Sequence, residues 1–181
     1  MKNRAFTLIE LLVVVLIIGI LTAIALSRYQ KIVEKTKATQ ALTVLKTVMQ
    51  AEEDYYLANG NSSLSFDNLA VGIPFTGRDR FIYSSAQDTS RSNDEWIFQL
   101  EEYLNHYMLH GVRKNGKYKG AGFRITLSAP GGTPTKQIEC FERKTGALVL
   151  FDSSLAEGAY CQQIMGGTLR VADDYARYYT L

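Results

Sequence analysis

The chain has 181 residues, 46% of them hydrophobic, with one Trp and three Pro, which bounds it to one modest globular domain plus an apolar segment. Without Lys2 and Arg4 the remaining 18 basic residues balance the 18 acidic ones, so bulk charge does not point to nucleic acid or to acidic substrates. No internal repeat, low-complexity tract or Pro-rich linker is present, and a second globular domain is not expected.

At the N-terminus, Lys2 and Arg4 lead into a nearly unbroken apolar run from Phe6 to Leu26 that carries one carboxylate, Glu10. Residues 11–27 hold no charge, and as a helix they span roughly 25 Å, close to a hydrocarbon core. The segment is expected to cross a membrane, and the basic leader places the N-terminus in the cytoplasm with everything after Arg28 outside it. A carboxylate at the centre of such a helix costs roughly 2.5 to 3.5 kcal/mol, and less near an edge, so Glu10 calls for a partner or for snorkelling to the headgroups. A secretory signal cut after Ala23-Ile24-Ala25, leaving a soluble secreted domain, conflicts with Glu10, with the length of the run and with a helical pattern that continues past Gln30.

The residues Ala5-Phe6-Thr7-Leu8-Ile9-Glu10 resemble the prepilin cleavage site of the type IV pilins, in their type IVa-like form, and of the related pseudopilins. That resemblance implies a prepilin peptidase that cuts between Ala5 and Phe6 and methylates the new Phe6 amine. It also implies an apolar helix retained on the mature protein, with Glu10 as the assembly residue. The family more often has Gly where Ala5 stands, and often Pro where Ser27 stands, so a kink near Ser27 is not implied. Paired with the Phe6 amine of an adjacent copy, Glu10 would meet its counter-charge as the helices bundle.

From Thr7 to about Leu57 there is no Pro and Gly19 is the only Gly, so one helix of roughly 76 Å is predicted, against a domain about 38 Å across. About half of it is expected to protrude. In the other half Ala38, Ala41, Leu42, Leu45, Val48, Met49 and Tyr56 form one stripe, opposite Thr36, Thr43, Thr47, Gln50 and Asp54. Glu34 and Glu52 interrupt that stripe, so its ends are expected to be looser. Ile32 and Val33 point away from it, which places a change of partners around residues 28–37. Asn59-Gly60-Asn61 ends the helix.

Residues 61–104 mix turn residues with short apolar pieces such as Phe81-Ile82-Tyr83 and Trp96-Ile97-Phe98, and read as a connecting loop with one or two short strands. Strands are predicted over His106 to Arg113 and Lys117 to Ser128 around Lys114-Asn115-Gly116, and over Lys136 to Arg143 and Ala147 to Asp152 around Lys144-Thr145-Gly146. The fold class expected is α+β: a long N-terminal helix whose amphipathic half packs on a four-stranded antiparallel sheet. The divisions expected are a leader over 1–5, a membrane or filament-core helix over 6–27, an amphipathic half over 28–57, a loop over 58–104, the sheet over 105–154 and a tail over 155–181. Cys140 and Cys161, 21 positions apart and without a CxxC or Cys/His cluster, read as a disulfide tying that tail to a strand. Such a bridge resembles the disulfide-bounded C-terminal region of type IV pilins, whereas major pseudopilins rely on calcium.

No catalytic constellation, cofactor or metal site is expected. His106 and His110 share a face but lack the HExxH glutamate, and Gly120, Gly122 and Gly166-Gly167 form no nucleotide loop. Arg113, Lys114, Lys117 and Lys119 make the first hairpin basic, which allows a DNA reading that nothing else in the chain supports. Asn61-Ser62-Ser63 matches a glycosylation acceptor, and Tyr175, Tyr178 and Tyr179 read as tail packing. The function expected from the resemblance is a structural pilus subunit serving adhesion, twitching motility or DNA uptake. Its partners would be membrane lipid, the peptidase, the inner-membrane assembly machinery and, in a helical homo-oligomeric filament, further copies of itself. It would lie in the inner membrane as a precursor and in an extracellular pilus after assembly. The alternatives are a pseudopilin of a type II secretion system and a secreted soluble binding domain.

Overall fold

In the computed structural model, residues 7–80, 89–103, 106–128, 135–144 and 155–181 are described below. The chain divides into two compact units, Met1–Lys37 and Ala38–Leu181, and one helix, α1 (Leu8–Asn59, 52 residues), contributes to both. No Pro interrupts it, and the polar side chains in its apolar part bond to its own backbone: Thr22 Oγ1 donates to Ile18 O at 2.7 Å and Ser27 Oγ to Ile24 O at 3.1 Å. At its C-terminus Gly60 takes φ +75° and donates its N–H to Tyr56 O at 2.8 Å, the left-handed cap expected of that glycine.

In the N-terminal unit every described side chain from Thr7 to Ile32 is exposed, apolar ones included, and this part of α1 is long and apolar enough to cross a membrane. The C-terminal unit has the opposite character. Ala38, Ala41, Leu45, Val48 and Met49 are buried as the stripe predicts, against Trp96, Phe98, Leu109, Phe123 and Ile125 of a sheet. Leu45 sits over Gly111, where an added Cβ would meet Leu45 Cδ1 at 2.8 Å.

That sheet is antiparallel and has seven strands, not four. They are β1 (Ser90–Ser92), β2 (Trp96–Tyr103), β3 (His106–Arg113), β4 (Ala121–Ser128), β5 (Thr135–Arg143), β6 (Thr168–Ala172) and β7 (Ala176–Thr180), in the spatial order β1-β2-β3-β4-β5-β7-β6. β3 and β5 fall where predicted. β4 starts at Ala121 and not at Lys117, because the preceding residues turn through Gly116 and Gly120 at φ +80° and +85°. The expected strand Ala147 to Asp152, and its turn residues Thr145 and Gly146, lie outside the described residues, and the second edge of β5 is taken by β7. The additional strands come from the stretch read as a connecting loop and from the tail.

Glu52 is the other departure. The loose end expected there is a fixed one: Glu52 is fully buried, and its Oε1 accepts from the Ser62 hydroxyl and from Ser63 N–H at 2.7 Å, fastening the segment after α1 back onto the helix.

Candidate assembly site

The start of α1 is built by two side chains. Thr7, the residue before the helix, donates its backbone N–H and its hydroxyl to Glu10 Oε2, both at 2.8 Å, and its Oγ1 accepts Glu10 N–H at 3.3 Å. This reciprocal capping box satisfies backbone donors that a helix start otherwise leaves unpaired. The sequence reading looked for the partner of Glu10 on another chain and missed this local one, although Thr7-Leu8-Ile9-Glu10 spells the Thr-x-x-Glu pattern. Both bonds fall on Oε2, which holds the helix start. Ala5 and Phe6 lie outside the described residues.

The cysteines meet in the C-terminal unit: Cys140 on β5 and Cys161 are bonded at 2.05 Å with Cα atoms 5.7 Å apart, and both are buried. A fully buried carboxylate next to them, Glu142, holds the turn that carries Cys161. Its Oε1 accepts Tyr160 N–H at 2.7 Å and Cys161 N–H at 2.9 Å, and its Oε2 accepts Gly158 N–H at 2.8 Å and the Tyr179 hydroxyl at 2.9 Å. Burial, with the hydrogen bond to Glu142, pushes the Tyr179 phenol up to about 12. Neither Glu142 nor Glu52 was singled out for such a role in the sequence, because their partners come from distant positions.

The histidines do not converge on a common ligand. His106 Nδ1 lies 2.8 Å from Ser128 Oγ, and buried His110 lies with Nε2 3.1 Å from Glu101 Oε2. Burial lowers His110 to about 4, so at neutral pH it is uncharged. Among the described residues no group of three or more His, Cys, Asp or Glu is placed to hold a metal. The basic hairpin is tied into the fold: Lys114 Nζ reaches Asp79 Oδ2 at 2.6 Å, holding that carboxyl below its usual range, and Arg113 pairs with Glu95 at 3.1 Å and lies over Trp96. Lys117 Nζ lies 5.4 Å from the Tyr118 ring centroid. Tyr178 and Tyr179 are buried on β7, whereas Tyr175 is exposed in the turn before it.

A family model described as a prokaryotic N-terminal methylation motif matches residues 1–26. Among curated proteins the chain is similar to the fimbrial protein EcpC of Eikenella corrodens, 36% identical over 91 residues, which are 50% of this chain and 58% of that one. It is 46% identical over 55 residues, 30% of this chain and 25% of the other, to the type IV major pilin protein PilA of Myxococcus xanthus. To the type IV major pilin protein PilE of Neisseria gonorrhoeae it is 39% identical over 71 residues, 39% of this chain and 41% of that one. The chain thus spans from a quarter to somewhat over half the length of these relatives. No solved structure matches it. A methylation motif at the head of a long helix, that helix packed on one antiparallel sheet, and similarity over part of their length to proteins named as pilins and fimbrial proteins are what the chain shares with the type IV pilins.

Proposed function

We propose that the protein is a structural subunit of a type IV pilus. The precursor sits in the inner membrane with residues 1–5 as a cytoplasmic leader and the apolar start of α1 across the bilayer. Prepilin peptidase cuts between Ala5 and Phe6 and methylates the Phe6 amine. The inner-membrane assembly machinery then moves the subunit from lipid into a helical fibre whose core is the bundled apolar helices.

The observation that carries this reading is the exposed apolar stretch of α1 opened by the Thr7–Glu10 capping box. Transfer from lipid to a bundle yields packing and hydrogen bonding and little hydrophobic gain, so a polar contact has large influence on register. Glu10 supplies that contact. Its Oε2 stays on Thr7 while its Oε1 takes the methylated amine of a neighbouring Phe6, which relieves two charges left in an apolar surround.

The test has two parts. Mass spectrometry of the membrane-bound protein is expected to find Phe6 as the N-terminal residue, carrying one methyl group. Glu10→Ala is expected to insert normally and to yield few or no fibres. A mature chain beginning at Leu26, or wild-type fibre yield from the Glu10 variant, would overturn the proposal.

A further inference from the structure

At the β1 edge of the sheet lies a cleft of about 370 Å³, a size usual for small-ligand sites. It is lined by Phe75, Thr76 and Asp79 from the segment after α1, by Asn93 and Asp94 from the β1–β2 turn, and by Lys114 just after β3.

The frame of the cleft is fixed by bonds within the chain. Gly77 and Ser92 exchange backbone hydrogen bonds at 3.0 and 2.6 Å, and a side chain at Gly77 would not fit, because an added Cβ would meet the Ser92 carbonyl oxygen at 2.7 Å. Asn93 Oδ1 accepts the N–H groups of Glu95 and Trp96 at 2.9 and 2.7 Å, and Asn115 Nδ2 donates to the Asp94 carbonyl at 2.8 Å. The Phe75 ring stacks on Phe98, with centroids 5.3 Å apart and planes 4° from parallel. A ligand therefore enters a cleft already shaped, with little ordering left to do.

The polar groups of this lining are of both kinds. Asp79 Oδ2 accepts the Ser92 hydroxyl at 2.7 Å and Lys114 Nζ at 2.6 Å. Asp94 is exposed, and its carboxylate meets no partner among the described residues. With Oδ1 held by the backbone, Asn93 presents Nδ2 as a donor. Two carboxylates against one ammonium disfavour an anion. A metal ion lacks the ligands, since no group of three or more His, Cys, Asp or Glu forms among the described residues, and the Lys114 ammonium stands between the carboxylates it would need. A hydroxyl both donates and accepts, so neighbouring hydroxyls on a neutral ring can give protons to Asp79 and Asp94 and take them from Lys114 and Asn93. Phe75 and Pro74 offer apolar surface, and an aromatic face attracts the C–H side of such a ring.

We propose that this cleft binds a neutral pyranose of a glycan, with Asp94 and Asp79 accepting from its hydroxyls and Lys114 donating to them. The site belongs to the C-terminal unit alone and holds whether or not copies assemble.

The test uses full-length protein in a detergent without a sugar head group, titrated with the methyl pyranosides of glucose, galactose, mannose, N-acetylglucosamine and N-acetylgalactosamine and followed by saturation-transfer NMR. At least one is expected to bind saturably in the millimolar range. Asp94→Ala, at an exposed position that holds nothing else in place, is expected to weaken that binding by about tenfold, the scale of a hydrogen bond to a charged group. Asp54→Ala, a carboxylate on α1 outside the cleft, is expected to leave it unchanged. Saturable binding of none of the five, binding that Asp94→Ala leaves undiminished, or binding of inorganic phosphate or calcium alone would each overturn the site. Fibre yield reads the pilus proposal and pyranoside binding reads this one, so each can fail without the other.

Discussion

Glu10, Glu52 and Glu142 each stand where a charge is costly, and in each case hydrogen-bond donors from the chain itself accommodate the carboxylate. Thr7 serves Glu10, the serines after α1 serve Glu52, and the turn around Cys161 serves Glu142. Donors from the same chain, backbone N–H groups at all three sites, thus offset part of the cost of placing each carboxylate. His110 shows the opposite solution, since burial keeps it neutral beside Glu101. Its native value of about 4 lies below the ordinary 6.5, so between those limits the unfolded chain binds a proton that the native chain does not, and stability falls as pH drops. Between pH 7 and pH 5 this linkage amounts to about 2 kcal/mol. Urea denaturation at the two pH values is expected to show His110→Gln losing less stability than wild type by about that amount. Of the three carboxylates only Glu10 was legible as special, because a lone charge in an apolar run is a local signal. Glu52 looked like a flaw in a helical stripe, since the donors that need it lie ten and eleven positions further on.

Among the elements, α1 was almost wholly legible. Its periodicity, its lack of Pro and its Asn-Gly stop are written in contiguous residues, and the buried stripe is the predicted one apart from Glu52, with Leu42 and Tyr56 half-buried. The strands were legible where a run of residues alternates next to a Gly turn, as in β3 and β5, and illegible where pairing is remote. β7 joins β5 across more than thirty residues, and β6 and β7 are each five residues with little alternation of their own. β2 was underestimated because its second face is buried too, with Gln99 inaccessible and Ile97 packed on Val112 and Phe141, so the usual polar-out pattern is missing. The stop of α1 can be tested directly. Gly60 has open space around its Cα, so Gly60→Ala meets only the strain of φ +75° and is expected to cost about 1 kcal/mol in chemical denaturation.

As a whole molecule the chain joins a unit whose apolar side chains are exposed to a unit whose apolar side chains are covered. The first suits lipid or a bundle of its own kind, and the second suits water. Removal of residues 1–28 takes away most of the exposed apolar rod and no member of the core around Ala38, Leu45 and Met49. That truncated protein is expected to stay soluble without detergent and to sediment as a monomer, while the full-length protein requires detergent or membrane. The cysteine bridge closes a 21-residue separation inside the second unit, which in the chain-entropy account is worth about 3 kcal/mol to its folding.

The unbroken course of α1 from Leu8 to Asn59 bears on how the proposed fibre would answer to force. Neither Gly19 nor Ser27 opens its ladder of backbone bonds, so no slack segment is stored along the rod. If the proposed fibre forms, pulling on it would have to slide whole subunits past one another or tear helical turns apart, which would make it a stiff cable with little give before it yields.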